Sequence, residues 1–464
     1  MKYEQYSPSI IRWNHEYPTH WSCEKAKRFF ANPKKLNKGN EESNVLSLTL
    51  RGVIRNNGEK PIGLSPSDYN TYQIFDSGEL VFKLIDLNNI STSRVGMVPE
   101  KGIMSSAYIR FVPRADMNIK YFYYQYYDWY KRNIFNGLGE GVRQTLSGND
   151  LRNLEILIPP REEQDQIARY LDWQVSKINK LIAAKKKQIR LLKELRKAIT
   201  DEGILHGFTS SEIKDSGVLW LGGIPAHWSV KPLKRVCRVN ASISHLTAAL
   251  NDDTSVTFLP MENVSVIGEV DCTIKKPLSE VRSGFSSFAK GDVVVAKITP
   301  CFENGKGACL DSLDTEIGFG TTEFINLRPY HDINSKYLYL ITMTRPFRVL
   351  GEKVMTGSAG QKRVSPEHIK NFTIGIPPLD EQNSILEEID RRVSRIDEHI
   401  CCENESISVL FELRTRLISD VVTGQIDVRV KEVPDFDVIE EIDTDEEILD
   451  DEYSADETEE QEAE

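Results

Sequence analysis

The hydrophobic pattern changes period at matched places along the chain. Before residue 158 apolar residues come in short β-type runs bounded by turn residues, such as "NVLSLTL" at 44–50 and "ELVFKLIDL" at 79–87. From Arg161 to about Leu205 the pattern is helical. Leu171, Ile178, Leu192 and Ile199 follow a seven-residue grid that Lys185 interrupts, and Val175, Ile182 and Ile189 form a flanking stripe. Short β-type runs then return, including "DVVVAKI" at 292–298 and "TEFINL" at 322–327. A second helical stretch places Ile389, Ile396, Leu410 and Leu417 on the same grid, with Glu403 interrupting and Val393, Ile400 and Ile407 flanking. Such a sustained stripe predicts two helices packed as a coiled coil. About 45 residues at about 1.5 Å each give a rod of roughly 68 Å. Lys185 and Glu403 break the seam in register, so they either pair, fix the alignment or snorkel to solvent.

The two halves are copies. "YPTHWS" at 17–22 returns as "IPAHWS" at 224–229, and Trp13 and Trp220 share that offset of 207. "SGELVFKLI" at 77–85 resembles "GDVVVAKI" at 291–298, an offset of 213 or 214. "NIKYFYY" at 118–124 matches "NSKYLYL" at 334–340 at 216, and "NLEILIPP" at 153–160 matches "NFTIGIPP" at 371–378 at 218. Offsets that grow along the chain indicate one unit written twice, with small insertions taken up in loops. Each copy runs from a Trp-containing opening segment through β-type runs to an aromatic helix. That helix is "KYFYYQYYDWYKR" at 120–132 or "KYLYLITMTRPFRVL" at 336–350. A Gly-rich loop, a short strand, Pro-Pro and the long helix follow. Proline is tolerated at a helix start, and the acidic residues behind it (Glu162, Glu163, Asp165; Asp380, Glu381) complement the helix dipole.

The net charge of −12 over 464 residues hides an uneven distribution. Residues 431–464 hold 18 acidic residues and one lysine, whereas residues 1–430 hold 57 basic and 52 acidic ones. The body is thus mildly basic. Its acidic extension lacks the apolar content to fold and is expected to be disordered, serving as a solubilising tail, a decoy that competes with DNA, or a docking segment. The seven cysteines form no C-x-x-C pair and no zinc-like spacing, which suits reduced thiols in a cytoplasmic protein. No apolar run is long enough for a membrane span.

Catalytic signatures are absent. "GLGEG" at 137–141 follows an aromatic helix rather than a strand, which argues against a dinucleotide loop, and there is no Walker loop. The Pro-Pro steps follow Ile158 and Ile376, not the Asn/Asp of an amino-methyltransferase motif, and no metal-dependent nuclease cluster stands out. His20 and His227 recur before the paired tryptophans and read as packing or capping residues.

Together, "P-x-H-W-S" in each copy, "GVRQTL" and "GQKRV", the Ile-Pro-Pro helix starts, and the closing "ELRKAITDEGI" and "ELRTRLISDVVTGQID" carry a resemblance. Over nearly all of residues 1–430 the chain resembles the DNA-specificity subunit of Type I restriction-modification systems. The resemblance implies an α+β chain with two mixed α/β target-recognition domains (1–158 and 209–376). They are joined by two long antiparallel helical spacers (159–208 and 377–425); the acidic tail at 426–464 departs from the family's pattern, and the resemblance says nothing about it. It implies a non-catalytic adaptor that reads an asymmetric bipartite target in double-stranded DNA. Methyltransferase subunits, and motor-nuclease subunits for cleavage, would be its partners, and S-adenosylmethionine, ATP and magnesium would belong to them. Two other classes compete: a self-contained DNA methyltransferase or nuclease with a divergent site, and a coiled-coil scaffold without DNA function.

Two similar but nonidentical domains on a rod suit two nonidentical half-sites, and a mildly basic body suits phosphate contact. Candidate DNA-facing residues are Lys34, Lys35, Lys38, Arg51, Arg55, Arg94, Arg143 and Gln144 in the first copy. In the second they are Lys297, Lys306, Gln361, Lys362 and Arg363. Arg and Gln can read bases bidentately. Arg143-Gln144 and Gln361-Lys362-Arg363 rank first because both sit in the matched Gly-rich loop. Their recurrence also suits backbone contact or structure, since residues reading different sequences should differ.

Overall fold

A computed structural model describes residues 2–56, 68–87, 92–114, 116–139, 144–208, 212–358 and 360–439. The tail is expected to be disordered from 426 on, but residues 426–439 bond through Val428, Lys431, Val433 and Ile439 to Gln166, Arg169, Ser176 and Asn179 of the first long helix, whose polar flank supplies their partners. Residues from 440 on lie outside the described set. The chain forms two compact units, one of residues 1–188 and 403–464 and the other of residues 189–402. Each unit therefore contains one globular part together with the start of one long helix and the end of the other.

The repeat is visible strand by strand. Tyr6–Pro8 pairs with Glu16–Pro18, and Ile213–Asp215 with Gly223–Pro225, an offset of 207 at each residue. In the first unit an antiparallel four-stranded sheet runs Phe30–Ala31, Ile109–Pro113, Leu80–Phe82, Val95–Met97. The second unit repeats the order with Cys237–Val239, Phe324–Pro329, Val293–Ala296 and Gly307–Cys309. Buried Glu79 takes Arg110 in the first sheet, and its counterpart Asp292 takes Asn326 and Arg328 in the second. The second unit adds a sheet in which Ser255–Leu259 runs parallel to Ile317–Gly320.

Two further pairings explain why distant motifs recur together. The strand Ser22–Lys25, which begins on the last residue of "PTHWS", pairs with Glu155–Ile158 just before Pro-Pro. Ser229–Pro232 pairs with Thr373–Ile376 in the same way. The aromatic helix Ile119–Lys131 packs on the first sheet, with Tyr121, Phe122 and Tyr126 fully buried beside Phe30, Phe82 and Phe111. Its counterpart stops at Met343 and resumes as Arg345–Lys353, although the sequence pattern runs unbroken to Leu350. Pro346 is the cause, since it lacks an N–H and its ring would strike the carbonyl of Thr342 in a continuous helix.

The long helices span Arg161–His206 and Leu379–Val422. They run antiparallel: in the first unit Asn179 meets Arg414 (2.9 Å) and Lys185 meets Glu403 (2.7 Å), and in the second Arg196 meets Asp397 (3.0 Å). The predicted seam residues Leu171, Ile178, Ile389 and Ile396 are buried, and Leu192, Ile199, Leu410 and Leu417 are half-buried. Ile182, Ile189 and Ile407 of the flanking stripe are buried as well, so the two stripes alternate as the two seam positions of one heptad pattern. Off the grid, Leu181, Leu191 and Val409 are exposed.

Each globular part is joined to the helices by the same set of contacts. Glu163, in the first turn of its helix, accepts from Trp21 Nε1 (3.1 Å), His20 Nε2 (2.8 Å) and Tyr3 Oη. Glu381 accepts from Trp228 Nε1 (3.1 Å) and His227 Nε2 (2.6 Å). One residue later, Gln164 and Gln382 are buried. Their side-chain amides donate to the carbonyls of Pro159 (2.9 Å) and Pro377 (3.0 Å). Their Oε1 atoms accept from the backbone N–H of Asn118 and Asn334, which cap the two aromatic helices. The far ends of the long helices close the same joints. Gly207 and Gly424 adopt φ of 73° and 75°, the left-handed turn that ends a helix, and lie against Trp228 and Trp21 respectively. A side chain on Gly424 would meet Pro18 at 2.3 Å.

Candidate nucleic-acid interface

In the second unit, strand Val293–Ala296 runs into a loop at 297–306 that returns as strand Gly307–Cys309. The Gly-rich loop docks on it. Thr299 N donates to Lys362 O (3.0 Å), Lys362 N to Thr299 Oγ1 (2.8 Å), and Val364 N to Lys297 O (2.9 Å). Thr356 and Arg363 exchange backbone bonds, and Ala296 N donates to Lys306 O (3.0 Å). The junction thus gathers Lys297, Lys306, Gln361, Lys362 and Arg363, which the sequence scatters over 67 positions. Gln361 and Lys362 are exposed, and the other three are half-exposed. Lys297 Nζ donates to Thr322 O (2.8 Å). Arg363 forms a bidentate pair with Glu323 (2.9 and 3.0 Å), whose carboxylate raises the guanidinium pKa. A solvent-facing pair of this kind is weak, so the fork can exchange its carboxylate for a phosphate or a guanine edge.

The first unit builds the same junction. Leu146 N donates to Leu84 O (2.9 Å), Leu87 N to Gln144 O (3.4 Å) and Lys83 N to Arg94 O (3.1 Å). These bonds select the offset of 213, so Leu84 takes the backbone place of Lys297, and Arg94 that of Lys306. Gln144 is half-buried at φ 44°, and Arg143 lies outside the described residues. Arg94 departs from the expectation of a DNA-facing residue. It is 3% exposed, and its guanidinium donates to the carbonyls of Asp86 (3.2 Å) and Leu87 (2.9 Å). Its branched donors tie down two successive loop carbonyls, and burial lowers its pKa. Half-exposed Lys83, which sequence reasoning passed over, lies beside it, with its pKa lowered by burial and by the charge of Arg94.

The remaining candidates lie on other segments of the first unit. Lys34, Lys35 and Lys38 are exposed on a stretch held to the strand Gln73–Phe75, through Ile74 N to Lys35 O (2.7 Å) and Asn37 N to Tyr72 O (2.9 Å). Lys35 faces Asp76 at 3.6 Å. Arg51 and Arg55 are exposed on the hairpin Leu46–Thr49/Gly52–Arg55, with Arg55 bidentate to Glu100 (3.1 and 2.8 Å). The sequence also gave no sign of an open polar groove of about 560 Å³ in the second unit, lined by Ser242, Ser244, Asn251, Arg282 and Phe285 among others. Its polar residues come mainly from the stretch 242–252, with Arg282 and Ser287 from a second one, and have no regular spacing. Among the described residues no group of three or more His, Cys, Asp or Glu is placed to hold a metal ion, and no helix is long and apolar enough to cross a membrane.

The EcoAI Type I restriction enzyme specificity subunit of Escherichia coli is 39% identical over 190 residues, 40% of this chain and 31% of that protein. The EcoEI subunit of the same organism is 37% identical over 166 residues, 35% of this chain and 27% of that one. The matched part thus spans under a third of the length of these two curated relatives. The putative MjaX specificity subunit of Methanocaldococcus jannaschii is 24% identical over 311 residues, 64% of this chain and 66% of that one. Among solved structures, a chain from work on complex assembly and conformational transition of the type I R-M system superposes with a TM-score of 0.53. It covers 88% of this chain and 99% of that one at 14% identity, a likeness of fold. The family model described as Type I restriction modification DNA specificity domain matches twice, over residues 24–191 and 225–401. Each match begins in or just before the strand that pairs with the one ahead of Pro-Pro, and runs through the loop junction into the long helix. On these two matches, which cover most of the sequence and fall on the two copies of the repeat, the chain belongs to the Type I restriction modification DNA specificity domain family.

Proposed function

We propose that the chain is the DNA-specificity subunit of a Type I restriction-modification complex. Each unit reads one half of an asymmetric bipartite target, and the paired helices carry the docking sites for methyltransferase subunits, with motor-nuclease subunits joining for cleavage. The chain itself is non-catalytic, and S-adenosylmethionine, ATP and magnesium are bound by its partners. One observation carries this reading. The same loop junction is built twice on the same backbone bonds with different side chains at its edge, Gln144 and Thr145 in one unit and Lys362 and Arg363 in the other. A common scaffold with divergent edge residues is what two nonidentical half-sites require.

The test is DNA binding by the chain reconstituted with its methyltransferase subunits. Lys362→Ala should weaken binding evenly across sequences and flatten the salt dependence by about one ion. Gln361→Ala should relax discrimination at one position by about 1–3 kcal/mol. Methyl transfer by the purified chain alone would favour a self-contained enzyme, and absence of sequence-selective binding would favour a scaffold.

A further inference from the structure

After the second long helix the chain turns back along the first. Within the first unit, Gln166 Nε2 donates to Val428 O (2.9 Å) and Lys431 O (2.6 Å), and Arg169 donates to Val433 O (3.1 Å). Ser176 Oγ accepts from Ile439 N (3.1 Å), and Asn179 Nδ2 donates to Ile439 O (3.0 Å). Ser176 and Asn179 are buried polar groups on a helix flank, and this strap covers them. The strap advances with the helix from Gln166 to Asn179. Its contacts follow one face, because residues three, seven and ten apart share a side of an α-helix.

Seven-residue steps continue that face from Gln166 to Lys180 and Lys187, and from Ser176 to Ala183. Between Lys177 and Lys187 the helix has five lysines and no acidic residue. Lys185 turns away into the seam toward Glu403. Lys180 and Lys187 are exposed, and Lys186 is half-buried. The strap hands over at Ile439 to residues 440–464, which hold 15 acidic residues and no basic one. Asn179 to Lys187 is about 12 Å along the helix, a distance a few extended residues cover at about 3.3 Å each. "EEIDTDEE" at 440–447 therefore begins where the basic face begins.

We infer that the acidic segment from Glu440 docks on the lysine face of its own helix at Lys180 and Lys187. There it acts as a built-in polyanion that other polyanions must displace. The strap fixes where the segment starts and which way it runs, and opposite charge supplies the attraction, which is sensitive to salt.

Lysine acetylation rates, read by mass spectrometry, test the docking on the isolated full chain. Lys180 and Lys187 should react several-fold more slowly in the full chain than in a chain ending at Ile439. A full-length variant with the acids of 440–447 replaced by their amides should match the shortened chain. The difference should vanish at high salt, while Lys34 and Lys38 react alike throughout. Equal rates for Lys180 and Lys187 at low salt, or protection that arises only when duplex DNA or another subunit is added, overturn the docking. The second readout rests on the DNA-binding reading above; the first does not. Loss of the tail charge should tighten binding to a nonspecific duplex by about tenfold at low salt, a gain that shrinks as salt rises. Unchanged duplex affinity beside protected lysines overturns the displacement role alone.

Discussion

Glu163 accepts from three side chains at once, and its removal strands two buried donors, Trp21 Nε1 and Tyr3 Oη. Glu163→Ala should cost the first unit about 2–3 kcal/mol. The measurement is urea unfolding with hydrogen exchange of the amides in 119–131, and the second unit should be unaffected. Glu381→Ala should repeat the effect in the second unit on a smaller scale, because Glu381 is more exposed and binds two donors. Exposed Glu162→Ala should fall within about 0.5 kcal/mol of the parent. The recurring His-Trp pair was legible in the sequence, but its partner was not: Glu163 and Glu381 sit among several acids whose helix-start position already accounts for them. Arg94 failed in the opposite direction. Its place in a polar stretch suggested an exposed reader, and only the three-dimensional turn at Asp86–Leu87 shows the carbonyls it serves.

At the scale of elements, Lys185 and Glu403 occupy equivalent places in the two copies and bond to each other at 2.7 Å. Lys185→Glu should set two carboxylates side by side in the seam and lower the melting temperature. Lys185→Glu with Glu403→Lys should restore most of the loss, with a coupling of about 1 kcal/mol in a double-mutant cycle. A swapped pair that melts as low as the single variant would mean that this contact does not align the helices. The long helices were legible because a heptad stripe repeats over many turns and leaves Leu181 and Leu191 off the grid. The parallel pairing of Ser255–Leu259 with Ile317–Gly320 was not legible, since period-two patterning says nothing about which distant strand becomes a neighbour. The break at Thr344 was carried by one proline inside an otherwise helical pattern.

Across the whole molecule, the internal duplication is the feature on which function turns. It was readable from drifting offsets, and the structure gives the repeated motifs their reasons. "HWS" and the strand before Pro-Pro are bonded neighbours, and the Gln after Pro-Pro ties the long helix to the cap of the aromatic helix. The sequence did not show that the two junctions share a backbone, because their edge side chains differ. The central claim is that each unit reads one half of a two-part target. Methylome sequencing tests it most directly, in cells with the gene, without it, and with residues 1–158 exchanged for those of a relative. The expected result is an asymmetric two-part methylated motif that disappears on deletion, and of which the exchange alters one half and leaves the other intact. A methylation pattern unchanged by deletion, or an exchange that alters both halves together, would contradict it.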